Sequence, residues 1–110
     1  QMLNYCHQGI DLILTTGGTG FSKRDVTPEA TADIVERRAD NLTFAMIANS
    51  LQYTPKAMLS RGIAGIRENT LIVNLPGSPK AVRENLEYAI DAIIHGVKIL
   101  KGDDAECARK

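Results

Sequence analysis

IDLILTTGGTG, residues 10–20, is the stretch whose reading decides the fold. Its first part, residues 10–16, is an almost unbroken apolar run too short for a stable helix and rich in β-branched residues. That combination predicts a strand buried on both faces, the kind found in parallel sheets covered by helices. The run ends in Thr15-Thr16-Gly17-Gly18-Thr19-Gly20, a loop with the freedom to approach a ligand closely. TLIVNL (residues 70–75) repeats the pattern, a strand leading into Pro76-Gly77-Ser78-Pro79.

Outward from these two strands, helical periodicity fills the rest. Residues 1–8 read as the end of a helix stopped by Gly9. Thr27-Pro28-Glu29 opens a helix, with Thr27 as cap, Pro28 in the first turn and Glu29 complementing the dipole; Ala30, Ile34 and Val35 give its apolar face. A second helix is expected over residues 41–51, with Leu42, Ala45, Met46 and Leu51 inward. Residues 53–69 lack a clear period because Pro55 and Gly62 interrupt it, but 64–66 can pair with 70–75 across the polar turn 67–69. Ser78 caps a long last helix whose apolar positions are Val82, Leu86, Ala89, Ile90, Ile93, Ile94 and Val97, ending at Gly102 and the polar tail 103–110.

Alternating strands and helices predict an α/β fold, three-layer α/β/α with a mainly parallel sheet, in a single domain over residues 1–110. Two clear strands are few for a covered sheet, so the domain is expected to lack its N-terminal strand here, with the native polypeptide extending before Gln1.

Thirteen basic residues balance thirteen acidic ones, so no global field gathers nucleic acid or coats a membrane surface. No apolar run approaches the roughly 20 residues of a membrane span, and no signal peptide is visible. Cys6 and Cys107 have no metal-ligand spacing and read as free thiols of a reducing compartment, so a cytoplasmic location is expected.

Three segments carry chemistry. In open α/β sheets ligands bind beyond the carboxyl ends of the strands. The glycine loop sits there, and its N–H groups and Thr hydroxyls are donors for phosphate oxygens; it equally suits a tight strand-to-loop turn. It is neither a Walker A loop nor a dinucleotide fingerprint, since the spacings differ. Lys23-Arg24-Asp25-Val26-Thr27-Pro28 places Asp25 two residues before a helix cap, where it can form an Asx turn, hold Mg²⁺ on a polyphosphate or orient a nucleophile; Lys23 and Arg24 can offset phosphate charge. Asn74-Leu75-Pro76-Gly77-Ser78-Pro79 leads into a helix N-terminus, which attracts anions and is capped by Ser78, two compatible roles. Loops following neighbouring parallel strands face one crevice.

TTGGTGFSKRDVTPEAT (15–31), MLSRGIAGIR (58–67) and TLIVNLPGSPKA (70–81) closely resemble the molybdopterin-binding family of MogA, MoaB and gephyrin G-domain type, over residues 11–100. The resemblance implies an α/β/α fold, usually trimeric, and, in active members, Mg-ATP-dependent adenylylation of the terminal phosphate of molybdopterin with release of pyrophosphate. By matching position it makes Asp25 the catalytic residue and a Mg²⁺ ligand. Gly17, Gly18, Thr19 and Gly20 fall on the ligand loop, and Ser60, Pro76, Gly77 and Ser78 on substrate-pocket positions. Thr16 and Asn74, which border the two loops, complete the expected substrate-binding set. The family's second functional aspartate lies before the glycine loop, and nothing in this chain matches it. The expected substrates are molybdopterin and ATP, with Mg²⁺ as cofactor; the expected partners are further copies of the chain and a molybdate-inserting MoeA-type enzyme. Alternatives are a non-catalytic, MoaB-like pterin-binding module and a scaffold domain of a larger protein.

Overall fold

A hairpin forms the middle of the sheet. Strands β3 (Ala64–Arg67) and β4 (Thr70–Leu75) are antiparallel, with Arg67 opposite Thr70. Glu68, at φ +54°, gives their two-residue connection the positive φ of the primed turns, whose twist suits paired strands. The computed structural model describes residues 1–102; Cys107 and the polar tail 103–110 lie outside the described residues.

β1 (Leu12–Thr16) lies parallel to β4 in the register Leu12–Leu71 to Thr16–Leu75. β2 (Arg37–Arg38) is antiparallel to β3 and completes the order β1-β4-β3-β2. The α/β class and its helix–sheet–helix layering are as expected. The sheet is mixed, with its parallel pairing at β1/β4 and its antiparallel pairing in the anticipated hairpin and at β2. β2 falls in a charged stretch with no apolar signal. Backbone bonds hold it in place, from Glu36 N–H to the Ile66 carbonyl (2.8 Å) and from Ala39 N–H to that of Ala64 (2.9 Å).

Side chains alternate across a strand, and β4 uses both faces. Leu71, Val73 and Leu75 join Ala64 and pack on Met46 of α3 (Asp40–Ser50) and on Ala89 and Ile93 of α4 (Pro79–Lys101). The opposite face carries Ile72 and Asn74, the latter bonded to Thr31 of α2 (Thr27–Ile34). Thr31 in turn touches Met2 of α1 (Met2–His7) through its hydroxyl, 3.9 Å from the sulfur. All of β4 is buried, as its composition predicts. β1 is not buried on both faces. It has a partner only on its β4 side among the described residues, and Leu14 is 37% exposed.

Local signals hold with exceptions. Ser78 caps α4 by accepting from Ala81 N–H, and Gly102 ends it at φ +81°. Thr27 does not cap α2. Val26 takes the cap position, while Thr27 N–H donates to the Gly18 carbonyl (3.1 Å) and so ties the helix start to the glycine loop. On α2 the buried positions are Pro28 and Thr31, not Ala30. Leu51 and Ile94, expected inward, are 42% and 46% exposed, each one step beyond its helix's buried stripe. Residues 53–59 contain a 3₁₀ turn, Pro55–Leu59, capped by the Thr54 hydroxyl accepting from Lys56 N–H. Cys6 is a buried free thiol, as expected. No helix of the described residues is long and apolar enough to cross a membrane.

Candidate functional site

Because β1 and β4 are parallel neighbours, their carboxyl ends open at one edge of the sheet, and the loops that follow lie side by side. Gly17 N–H donates to the Leu75 carbonyl (3.0 Å), joining the start of one loop to the end of the other strand. Gly17 and Gly77 face each other so closely that a β-carbon on Gly77 would sit 3.4 Å from the Gly17 α-carbon. Gly17 and Gly18 adopt φ +84° and +71°, so the chain turns through two left-handed residues in succession. That conformation costs an L side chain about 1–2 kcal/mol.

The loops open into a cleft of about 640 Å³, within the roughly 300–1,000 Å³ of small-molecule sites. Gly18, Thr19, Gly20, Asp25, Ser60, Pro76, Gly77 and Ser78 all line it. Eight expected site residues from three separated segments thus share one cavity.

Asp25 does not make the expected forward Asx turn. One carboxylate oxygen reaches back to accept from Ser22 N–H (3.0 Å), and it lies where a β-carbon on Gly20 would be 2.9 Å away. The other carboxylate oxygen makes no hydrogen bond among the described residues. Ser60 accepts from Gly62 N–H (3.3 Å), and Ser78 accepts from Ala81 N–H (3.4 Å) at the free end of α4.

Three expected residues lie outside the lining. Thr16 is exposed at the end of β1, and Gly17 faces Gly77 without lining the cleft itself. Asn74 is a tie between elements: its carbonyl oxygen accepts from Ile63 N–H (3.1 Å), and its amide donates to the hydroxyls of Thr15 and Thr31 (3.0 Å each). With its amide committed in a buried position, the side chain is spent on the fold. Lys23 and Arg24 are exposed and line no part of the cleft.

The basic residues in the cleft are Lys56 and Lys80, neither of them among the expected site residues. Lys56 arrives on the 3₁₀ turn, whose Thr54-Pro55 start is a cap signal that was legible. Lys80 sits in the first turn of α4. Between α3 and α4, Ser50 donates to the buried Asn85 carbonyl oxygen (2.7 Å), placing two polar groups beside Ile47 and Tyr53 in the wall.

Arg61, also unselected, stands behind the lining. Its N–H donates to the Thr19 carbonyl (2.7 Å), Nε to that of Gly20 (2.8 Å) and Nη2 to that of Asp25 (2.5 Å). Nη1 pairs with Glu29 (2.5 Å). The guanidinium hydrogen bond, then a backbone N–H and the guanidinium charge, hold the Glu29 carboxyl below its ordinary range against a small opposing effect of burial.

Residues 1–95 match the model of a family described as "Probable molybdopterin binding domain". Gephyrin of Dictyostelium discoideum is 54% identical over 101 residues, which are 91% of this chain and 14% of that protein. The molybdopterin adenylyltransferase of Helicobacter pylori is 47% identical over 93 residues, 84% of this chain and 53% of that protein. The chain thus spans about half the length of that adenylyltransferase and a small part of the gephyrin. Among solved structures, the molybdopterin biosynthesis Mog protein of Mycobacterium ulcerans superposes with a TM-score of 0.86 at 38% identity, covering 90% of this chain and 65% of that one. MoaB from Thermus thermophilus gives 0.82 at 48%, covering 91% and 63%. A fold shared with these structures, and a family model matched from residue 1 to residue 95, place the chain in the molybdopterin-binding domain family.

Proposed function

We propose that this chain forms the molybdopterin-holding part of an enzyme of molybdenum-cofactor biosynthesis, one that uses Mg-ATP to adenylylate the terminal phosphate of molybdopterin. The observation that carries the reading is the meeting of the glycine loop, Asp25 and the N-terminus of α4 in one cleft. Relatives named molybdopterin adenylyltransferase, at 45–47% identity, support it.

In this reaction an oxygen of the molybdopterin phosphate attacks the α-phosphorus of ATP. A new phosphorus–oxygen bond forms, the α–β bridging bond breaks, and pyrophosphate departs. The attacking phosphate is already ionised at neutral pH, so no general base is needed, and the protein's contribution is positioning and charge stabilisation. The loop amides and the α4 N-terminus offer donors for phosphate oxygens. Lys56 and Lys80 balance their charge, and Ile47, Tyr53 and Leu59 give the pterin an apolar wall.

Asp25, with one oxygen uncommitted, suits Mg²⁺, which takes one or two carboxylates and otherwise the substrate's phosphates. Bound there, Mg²⁺ would neutralise charge on the polyphosphate. Assembly into trimers in the cytoplasm and hand-over to a MoeA-type enzyme belong to the same proposal.

The test supplies the full-length protein with molybdopterin, ATP and Mg²⁺ and follows adenylylated molybdopterin and pyrophosphate. Equimolar formation of both is expected. Molybdopterin binding without pyrophosphate release would make the protein a pterin-binding module instead.

A further inference from the structure

Thr19, Gly20 and Asp25 line the cleft, yet the segment that carries them, residues 19–25, forms neither helix nor strand. Their bonds to one another are local: Asp25 N–H to the Ser22 carbonyl, Ser22 N–H to the Asp25 carboxylate, Arg24 N–H to the Ser22 hydroxyl. Among the described residues, every hydrogen bond that ties this segment to a distant part of the chain is donated by Arg61. The backbone of Arg61 holds Thr19, and its fork holds Gly20 and Asp25 while bracing on Glu29 of α2. Arg61 itself lines no part of the cleft, whereas its neighbour Ser60 does.

We infer that Arg61 is the positioning residue of this site: its guanidinium clamps the glycine loop to the Asp25 loop and sets the shape of the cleft before a ligand arrives. Only a planar guanidinium presents several N–H groups in a fixed fork, so one side chain can hold two carbonyls and a carboxylate together. A lysine ammonium keeps the charge facing Glu29 but cannot span the same acceptors. The two carbonyl bonds, half-buried, outweigh the Glu29 pair, which is largely exposed and weak on that account.

Without the clamp the segment samples other conformations, and only the fraction already in place binds well. A bound ligand then draws the loop back into place. The clamp therefore acts on KM rather than kcat. A residue needed only for the fold would instead lower the amount of active protein, reducing apparent kcat at unchanged KM.

Amide exchange of the full-length protein compares wild type with Arg61→Lys. Residues 18–25 should exchange at least ~10-fold faster in the variant, with α4 unchanged. Exchange of that segment within twofold of wild type would overturn the clamp. If Arg61→Lys does not fold, the wild-type protein still answers by nitrogen-15 NMR: a clamped Arg61 Nε–H should be protected at least ~10-fold relative to that of the exposed Arg83, and equal exchange would overturn it. The kinetic arm rests on the proposed adenylyl transfer. There Arg61→Lys should raise the KM for molybdopterin at least ~10-fold with kcat within ~3-fold of wild type, and Glu29→Gln should change kcat/KM less than ~3-fold. A lowered kcat at unchanged KM would overturn the positioning role. Absence of turnover in wild type would count against the proposed function alone, because the exchange measurements read the clamp without it.

Discussion

Gly18→Ala is expected to destabilise the protein far more than a glycine-to-alanine change usually does, for two separable reasons. At φ +71° an L residue sits in the left-handed region, a cost of about 1–2 kcal/mol. The new β-carbon would also overlap the Thr27 hydroxyl and lie 3.2 Å from the Thr27 β-carbon, which adds about 1–3 kcal/mol of overpacking. Together these give about 2–5 kcal/mol. Gly9→Ala isolates the first part, since Gly9 has φ +81° and nothing within 4 Å of the added carbon. Any stabilisation from restricting the unfolded chain is common to both changes and cancels in the comparison. In urea unfolding of the full-length protein, Gly18→Ala should exceed Gly9→Ala by about 1–3 kcal/mol. Combining it with Thr27→Ala, which removes the overlapping hydroxyl, should recover about 1 kcal/mol in a double-mutant cycle. Equal losses at Gly9 and Gly18, or no recovery with Thr27→Ala, would refute the close approach of the glycine loop to α2.

Ser78→Ala should cost roughly 1 kcal/mol through the lost cap and weaken molybdopterin binding in calorimetry; a stability loss at unaltered affinity would leave capping as its whole role. Asn74→Ala removes a buried amide with three partners and should cost about 2–4 kcal/mol in the same unfolding assay, whereas a loss under about 0.5 kcal/mol would deny that it ties β1, β4 and α2 together. For Glu29 the folded pKa lies below the unfolded one, so its pairing stabilises the fold above the ordinary carboxylate range and the benefit disappears as pH falls through the lowered value. Melting curves from pH 7 down to pH 3 should therefore show a small gap between wild type and Glu29→Gln that closes below about pH 4.5; a gap that widens on acidification would contradict the sign.

Much of the fold was legible because its signals are local. The apolar runs of β1 and β4, the capping Ser78 and the stripe of α4 each act within a few residues of themselves. β2 was not legible, since two exposed arginines become a strand only when β3 offers its edge. Leu14 is exposed because β1 has a single neighbour among the described residues, a fact of sheet order that no strand's composition carries. In the site, motif spacing brought eight expected residues to one cleft, because loops after parallel neighbours must open at the same edge. Asn74 read as a ligand group from its place in a motif, but its contacts with Thr15 and Thr31 depend on tertiary packing. Arg61 is illegible for the converse reason. A basic residue in a loop carries no local mark of the three carbonyls it will meet, two of them about forty positions away in sequence.

The part Asp25 plays in the reaction is read by adenylyl transfer of Asp25→Asn in the full-length protein, measured beside molybdopterin binding by the same variant. The substitution keeps size and the capacity to accept from Ser22 N–H while removing the charge that faces the cleft. A role for Asp25 in the reaction predicts a fall in kcat of at least ~100-fold, about 2.7 kcal/mol of transition-state stabilisation, with molybdopterin affinity within ~3-fold of wild type. Turnover close to wild type would contradict it and leave Asp25 as a residue that only folds its own loop.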